Sequence, residues 1–155
     1  MWRAEGKVLM MRTLMVIVAT ALLFTEAAFA HVTVWPQQSR AGMAERYTVR
    51  VPTERTVSTL SIELEVPAAV TVTGILAPAG FTYETKREGN RIASITWKQE
   101  IRPGEIGEFV FFARNPAASQ IVWKAHQRYA DGQVEDWVGP AGDRRPAPSV
   151  SLSPR

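Results

Sequence analysis

Thr59-Leu60-Ser61-Ile62-Glu63-Leu64-Glu65-Val66-Pro67 changes polarity at every step. Successive side chains of a strand point to opposite faces, so a period of two gathers the apolar set on one side; a helix would scatter it. This reading turns Leu60, Ile62, Leu64 and Val66 toward a core, and Thr59, Ser61, Glu63 and Glu65 toward water. Pro67, which has no amide proton for a ladder, ends the run. A strand with one apolar face needs a second layer to cover it.

The same pattern extends both ways. Upstream, Tyr47, Val49 and Val51 share one face while Arg46, Thr48 and Arg50 share the other, and Pro52-Thr53-Glu54-Arg55 forms the connecting turn. Earlier still, Val32 and Val34 open a first strand that Pro36 ends or marks as an edge. Downstream, Val70-Thr71-Val72-Thr73 alternates again, Pro78-Ala79-Gly80 turns into Phe81-Thr82-Tyr83, and Arg87-Glu88-Gly89-Asn90 reads as a hairpin turn into Ala93, Ile95 and Trp97. Phe109-Val110-Phe111-Phe112 is apolar on both faces and is therefore a central strand. Ile121, Trp123 and Ala125 point inward, with Lys124, His126 and Arg128 opposite, and Asp131-Gly132 turns into Val134–Val138. No amphipathic helix of useful length is found. The expected fold is all-β, an immunoglobulin-like antiparallel sandwich of about seven to nine strands. From Gly139 onward Gly, Pro, Ser and Arg dominate, which predicts a disordered tail over residues 140–155.

The first thirty residues read differently. Arg3, Lys7 and Arg12 precede an eleven-residue apolar run from Leu14 to Phe24, interrupted by Thr20, and Ala28 and Ala30 follow. That is the charged, apolar and small-residue order of an export signal, with an apolar run short of the roughly 17–25 residues a membrane-spanning helix needs. Residues 1–30 are therefore expected to be cleaved, with Met1, Met10 or Met11 as the start, leaving a 31–139 domain and its tail. No second apolar run reaches membrane length, so the expected location is periplasmic or extracellular, with no membrane span after cleavage. The leader's three basic and two acidic residues reduce the net charge of +3 to +2 for the remainder. Those charges are interspersed, which gives no footprint for nucleic acid. With no cysteine in the chain, disulfides and thiolate metal sites are both excluded.

Catalytic motifs are absent: there is no G-x-S-x-G, no H-E-x-x-H and no glycine-rich phosphate loop. Two histidines exist, His31 and His126. Cleavage after Ala30 would make His31 the first residue, and a free α-amine beside an imidazole Nδ1 can chelate one divalent ion, displacing protons near neutrality. Two nitrogens in tetragonal geometry suit Cu(II), whereas Cu(I) favours thiolate or thioether. Of five methionines only Met43 lies beyond the leader. His126, between Lys124 and Arg128 on a polar strand face, reads as a surface histidine rather than a second ligand, and oxidative glycan cleavage with it is not expected.

Several segments together resemble the YcnI-like copper-binding domains of bacteria, exported proteins often encoded with copper-transport components. They are His31-Val32, Arg50-Val51-Pro52-Thr53-Glu54-Arg55, Pro78-Ala79-Gly80-Phe81, Gln127-Arg128-Tyr129-Ala130-Asp131-Gly132 and Trp137-Val138-Gly139. The resemblance covers His31 to about Gly139. It implies one Cu(II) per chain in a monohistidine brace, with His31 giving its α-amine and Nδ1, Glu54 its carboxylate, and Trp137 packing beside the metal. Glu45, Glu63, Glu65 and Glu84 are rival oxygen donors, Glu45 foremost. The expected role is copper chaperoning, buffering or trafficking without catalysis, with an envelope copper transporter or chaperone as partner. Two other classes predict differently: an envelope interaction module without metal, and a copper-dependent redox enzyme that would need His126.

Overall fold

The computed structural model describes residues 31–155, so the expected leader and its cleavage lie outside the described residues. Twelve strands follow one another without a helix among those residues: β1 Thr33–Trp35, β2 Gln38–Arg40, β3 Ala44–Pro52, β4 Thr59–Glu65, β5 Thr71–Ile75, β6 Thr82–Glu88, β7 Arg91–Ile101, β8 Ile106–Arg114, β9 Gln120–Val122, β10 Lys124–Tyr129, β11 Val134–Trp137 and β12 Ser149–Ser153. Two antiparallel sheets form the sandwich, in the orders β1-β3-β8-β5 and β11-β10-β4-β7-β6. These nine strands are the immunoglobulin-like fold that the alternation predicted. A third, small sheet, β2-β12-β9, closes one border and contains one parallel pairing, β2 with β12.

Between the two sheets lies an aromatic core. Trp97 stacks on Phe109 and Tyr47 on Phe111, each pair with centroids 5.4 Å apart, while Trp123 meets both Tyr47 and Phe111 edge-on. Such pairs contribute about 0.5–1.5 kcal/mol each beyond the area they bury. β8 is central in its sheet, as its two-sided apolar character requires. Gly107 on β8 leaves space for Ile101, which a Cβ there would strike.

Two expectations are corrected. Leu60 was expected inside with Ile62, Leu64 and Val66, but it is 42% exposed while Thr59 is fully buried. A bulge between Thr59 and Ser61, where β4 pairs with β7, shifts the alternation by one residue. The tail is ordered, not disordered. Val150 and Leu152 in β12 enter the core, and Gly139 exchanges backbone hydrogen bonds with Arg145 and Ala147 to fold the connecting loop back. The Pro- and Ser-rich composition concealed a two-residue apolar period at the end of the chain, and burying those two side chains offsets the ordering cost.

Candidate metal centre

Thr33 on β1 pairs with Arg50 on β3, and Trp35 with Thr48. His31, two residues before β1, lines one concavity with Pro52, at the end of β3 where the chain turns into Thr53-Glu54. His31 therefore stands at one rim of the sandwich, half-buried. Its ring meets Trp137 of the other sheet edge-on, with centroids 5.7 Å apart. Trp137 is itself buried, 5% exposed, so it walls one side of the imidazole rather than offering a free platform.

Trp137 is fixed by a buried polar chain. Its indole Nε1 donates to Gln127 Oε1 at 3.1 Å; Gln127 Nε2 donates to the Pro52 carbonyl at 2.9 Å and to Thr59 Oγ1 at 2.7 Å; Thr59 and Thr53 share a hydroxyl hydrogen bond of 2.8 Å. The turn that carries Glu54 is pinned on both flanks. Thr53 donates its N–H to Glu105 O and accepts from Gly104 N–H, while Arg55 lies 4.5 Å over the Tyr129 ring and pairs with Asp131 at 2.8 Å. Burial and the neighbouring Glu135 carboxylate raise the Tyr129 phenol well above its ordinary range, so it stays neutral against the guanidinium.

Glu54 is exposed at this same end. It lines a shallow concavity with Thr53, Arg55, Thr56, Pro103, Gly104 and Glu105, whereas His31 lines a larger one, about 750 Å³, with Thr33, Trp35, Arg50, Phe81 and Glu108. Pro52 and Ile106 border both, forming the ridge between them. The fold thus brings His31 into contact with Trp137 and sets Glu54 just across Pro52, in a separate depression. No group of three or more His, Asp or Glu side chains suited to a metal ion occurs among the described residues. At this rim His31 supplies an imidazole, and the concavity it lines also holds the Glu108 carboxylate.

The rival oxygen donors stand elsewhere. Glu45 is seven residues from Pro52 along β3, roughly 23 Å at about 3.3 Å per residue, and it accepts from Ser39 Oγ and the Arg46 amide. Met43 precedes β3 and lies at that distant end as well. Glu63 holds Lys86 and Ser94, Glu84 holds Lys98, and Glu65 holds His126, all on the outer face of the five-stranded sheet. His126 presents both ring nitrogens to carboxylates, Nδ1 to Asp136 at 2.6 Å and Nε2 to Glu65 at 2.9 Å. Burial depresses the imidazole, but the hydrogen bonds and charges of Asp136 and Glu65 outweigh it and leave the pKa above its ordinary value.

The sequence reading gave no site role to Glu108, Arg50, Trp35 or Gln127. The first three meet in the His31 groove, where Arg50 Nε pairs with Glu108 at 2.7 Å and the guanidinium lies 5.0 Å from the Trp35 ring centroid. Parity could have revealed Gln127: it follows outward-facing His126 and is therefore a polar residue at an inward position.

An immunoglobulin-like sandwich bearing a rim histidine against a buried tryptophan defines the class. Residues 31–152 match the family described as "Domain of unknown function (DUF1775)", and the chain belongs to that family. It is similar to the "Copper-binding protein CutI" of Bacillus subtilis (strain 168), 35% identical over 127 residues. That match covers 79% of this chain, which spans 62% of the length of that relative. Among solved structures it is similar to an uncharacterized protein from Nocardia farcinica with an immunoglobulin-like fold, at 27% identity and a TM-score of 0.72, covering 80% of this chain and 99% of the other.

Proposed function

We propose that this chain is an extracytoplasmic Cu(II)-binding protein that buffers copper or passes it to an envelope copper transporter or chaperone, and that it is not an enzyme. The carrying observation is the His31–Trp137 pair at the rim, beside the pinned turn of Glu54, in a protein similar to one named for copper binding. With the leader removed after Ala30, His31 supplies its α-amine and Nδ1, and Glu54 supplies a carboxylate oxygen. One ion per chain is the stoichiometry of such a site. This nitrogen and oxygen set matches the preference of Cu(II), and copper heads the divalent affinity order. Trp137 excludes water from one side and limits rotation of the imidazole.

Copper is cargo here, so a usable site must hold the ion and still release it. Glu54 is exposed and its depression is open, which leaves one side of the ion accessible to an incoming donor. Electron paramagnetic resonance of protein beginning at His31, with one equivalent of Cu(II), tests the reading. The expected result is a type 2 signal with nitrogen coupling that changes in His31→Ala and in a form with one residue added before His31. A signal unchanged in both would overturn the brace.

A further inference from the structure

We infer that Gln127 is a positioning residue of this centre, its buried amide setting where the Glu54 turn lies relative to His31 and Trp137. The inference rests on the copper reading above. Gln127 is completely buried, and its partners come from three separate elements: Trp137 on β11, Pro52 at the end of β3 and Thr59 at the start of β4. Two of those partners dictate the side chain by their chemistry. An indole N–H can only donate and a proline carbonyl can only accept, so the bridging group must accept at one atom and donate at another. An amide does both. A leucine of similar size does neither, and an ionised glutamate would set an oxygen against the Pro52 carbonyl.

Both proposed ligands depend on what this amide joins. Trp137 is the wall of the His31 ring, and Pro52 both borders the His31 concavity and starts the turn that carries Glu54. A sandwich rim is otherwise free to shift its turns by an ångström or so, and a mononuclear site does not tolerate that displacement. Through Gln127 the wall and the turn move as one body. The far end of the sandwich offers an internal control. There Asn115, also buried, accepts from Tyr47 Oη at 2.6 Å and donates to Ser39 Oγ and Arg40 O, remote from His31.

A double-mutant cycle on protein beginning at His31 tests the inference. Cu(II) affinity is measured by chelator competition at 10 °C, where far-ultraviolet circular dichroism verifies that each variant is folded. Glu54→Gln should weaken binding at least tenfold in the native background and less than threefold in Gln127→Leu, whose g and copper hyperfine values should move toward those of Glu54→Gln. Should Gln127→Leu fail to fold, Thr59→Val carries the same comparison, since it removes one acceptor of the amide and its link to Thr53. Asn115→Ala should lower the melting temperature yet leave the full cost of Glu54→Gln. An undiminished cost in Gln127→Leu or Thr59→Val would overturn the inference while leaving the site intact, as would loss of that cost in Asn115→Ala. If neither Glu54→Gln nor His31→Ala weakens binding in the native background, the copper reading fails, and the role of Gln127 with it.

Discussion

The two histidines of this chain occupy opposite kinds of surroundings. His126 lies on the outer face of the five-stranded sheet among Lys124, Arg128, Glu63, Glu65 and Asp136, with each ring nitrogen facing a carboxylate. His31 lies at the rim against an indole edge, and none of the ion pairs among the described residues involves it. A metal ligand needs an uncommitted lone pair, and an imidazole held between two acids favours the protonated form, which has none. Composition counts the two histidines alike, whereas their neighbours leave one outside every ion pair and hold the other between two carboxylates. His126 and Gln127 repeat the lesson one residue apart on β10, the first facing the charged surface and the second reaching the site from within.

The contrast breaks first at His31. His31→Ala, or one residue added before His31, should weaken Cu(II) binding by more than about 100-fold, because the loss of a direct ligand exceeds the 10–100-fold typical of removing an outer partner; chelator competition reads it. The same substitution at His126 should change copper affinity by less than about twofold, and a larger loss would make the two sites one. Glu54→Gln should cost about 10–100-fold and shift the g and copper hyperfine values of the resonance spectrum, with nitrogen coupling retained. Trp137→Phe keeps an aromatic wall but removes the N–H that Gln127 accepts, so a loss of about 3–10-fold is expected, with a destabilisation of about 1–3 kcal/mol from the unpaired Gln127 oxygen, read by urea titration. The smallest effect belongs to His126. Its pKa is raised in the folded state, so its contribution is complete below the unfolded value near 6.5 and is lost as pH rises through the higher folded value. His126→Ala should therefore destabilise the protein at pH 5.5 and hardly at all at pH 8.5, by under about 1 kcal/mol because Glu65 and Asp136 are half-exposed and screened.

Much of the fold was legible in strand alternation. Tyr47, Val49, Val51, Ile62, Leu64, Ile95 and Trp97 are all buried where the two-residue period set them. The hairpin at Gly89 is present, and its φ of 58° is a conformation glycine adopts freely. Leu60 misled because a bulge is a cross-strand event that local alternation does not record. The tail misled because composition describes a segment in isolation, while Val150 and Leu152 are held by β2, β9 and the core. At the proposed site, the sequence singled out His31, Glu54 and Trp137 but gave no role to Gln127, whose amide joins Trp137 to Pro52. Glu45, weighed as a rival to Glu54, lies at the other end of β3.

The order of residues by itself determined the all-β class, the absence of thiol chemistry and the short list of donors, since polarity period and residue type are properties of neighbours along the chain. Tertiary structure alone decided which donors share a rim, which histidine is already paired and which buried amide ties wall to turn. Those are relations between strands far apart in sequence, and only the packing of the two sheets brings them within hydrogen-bonding reach.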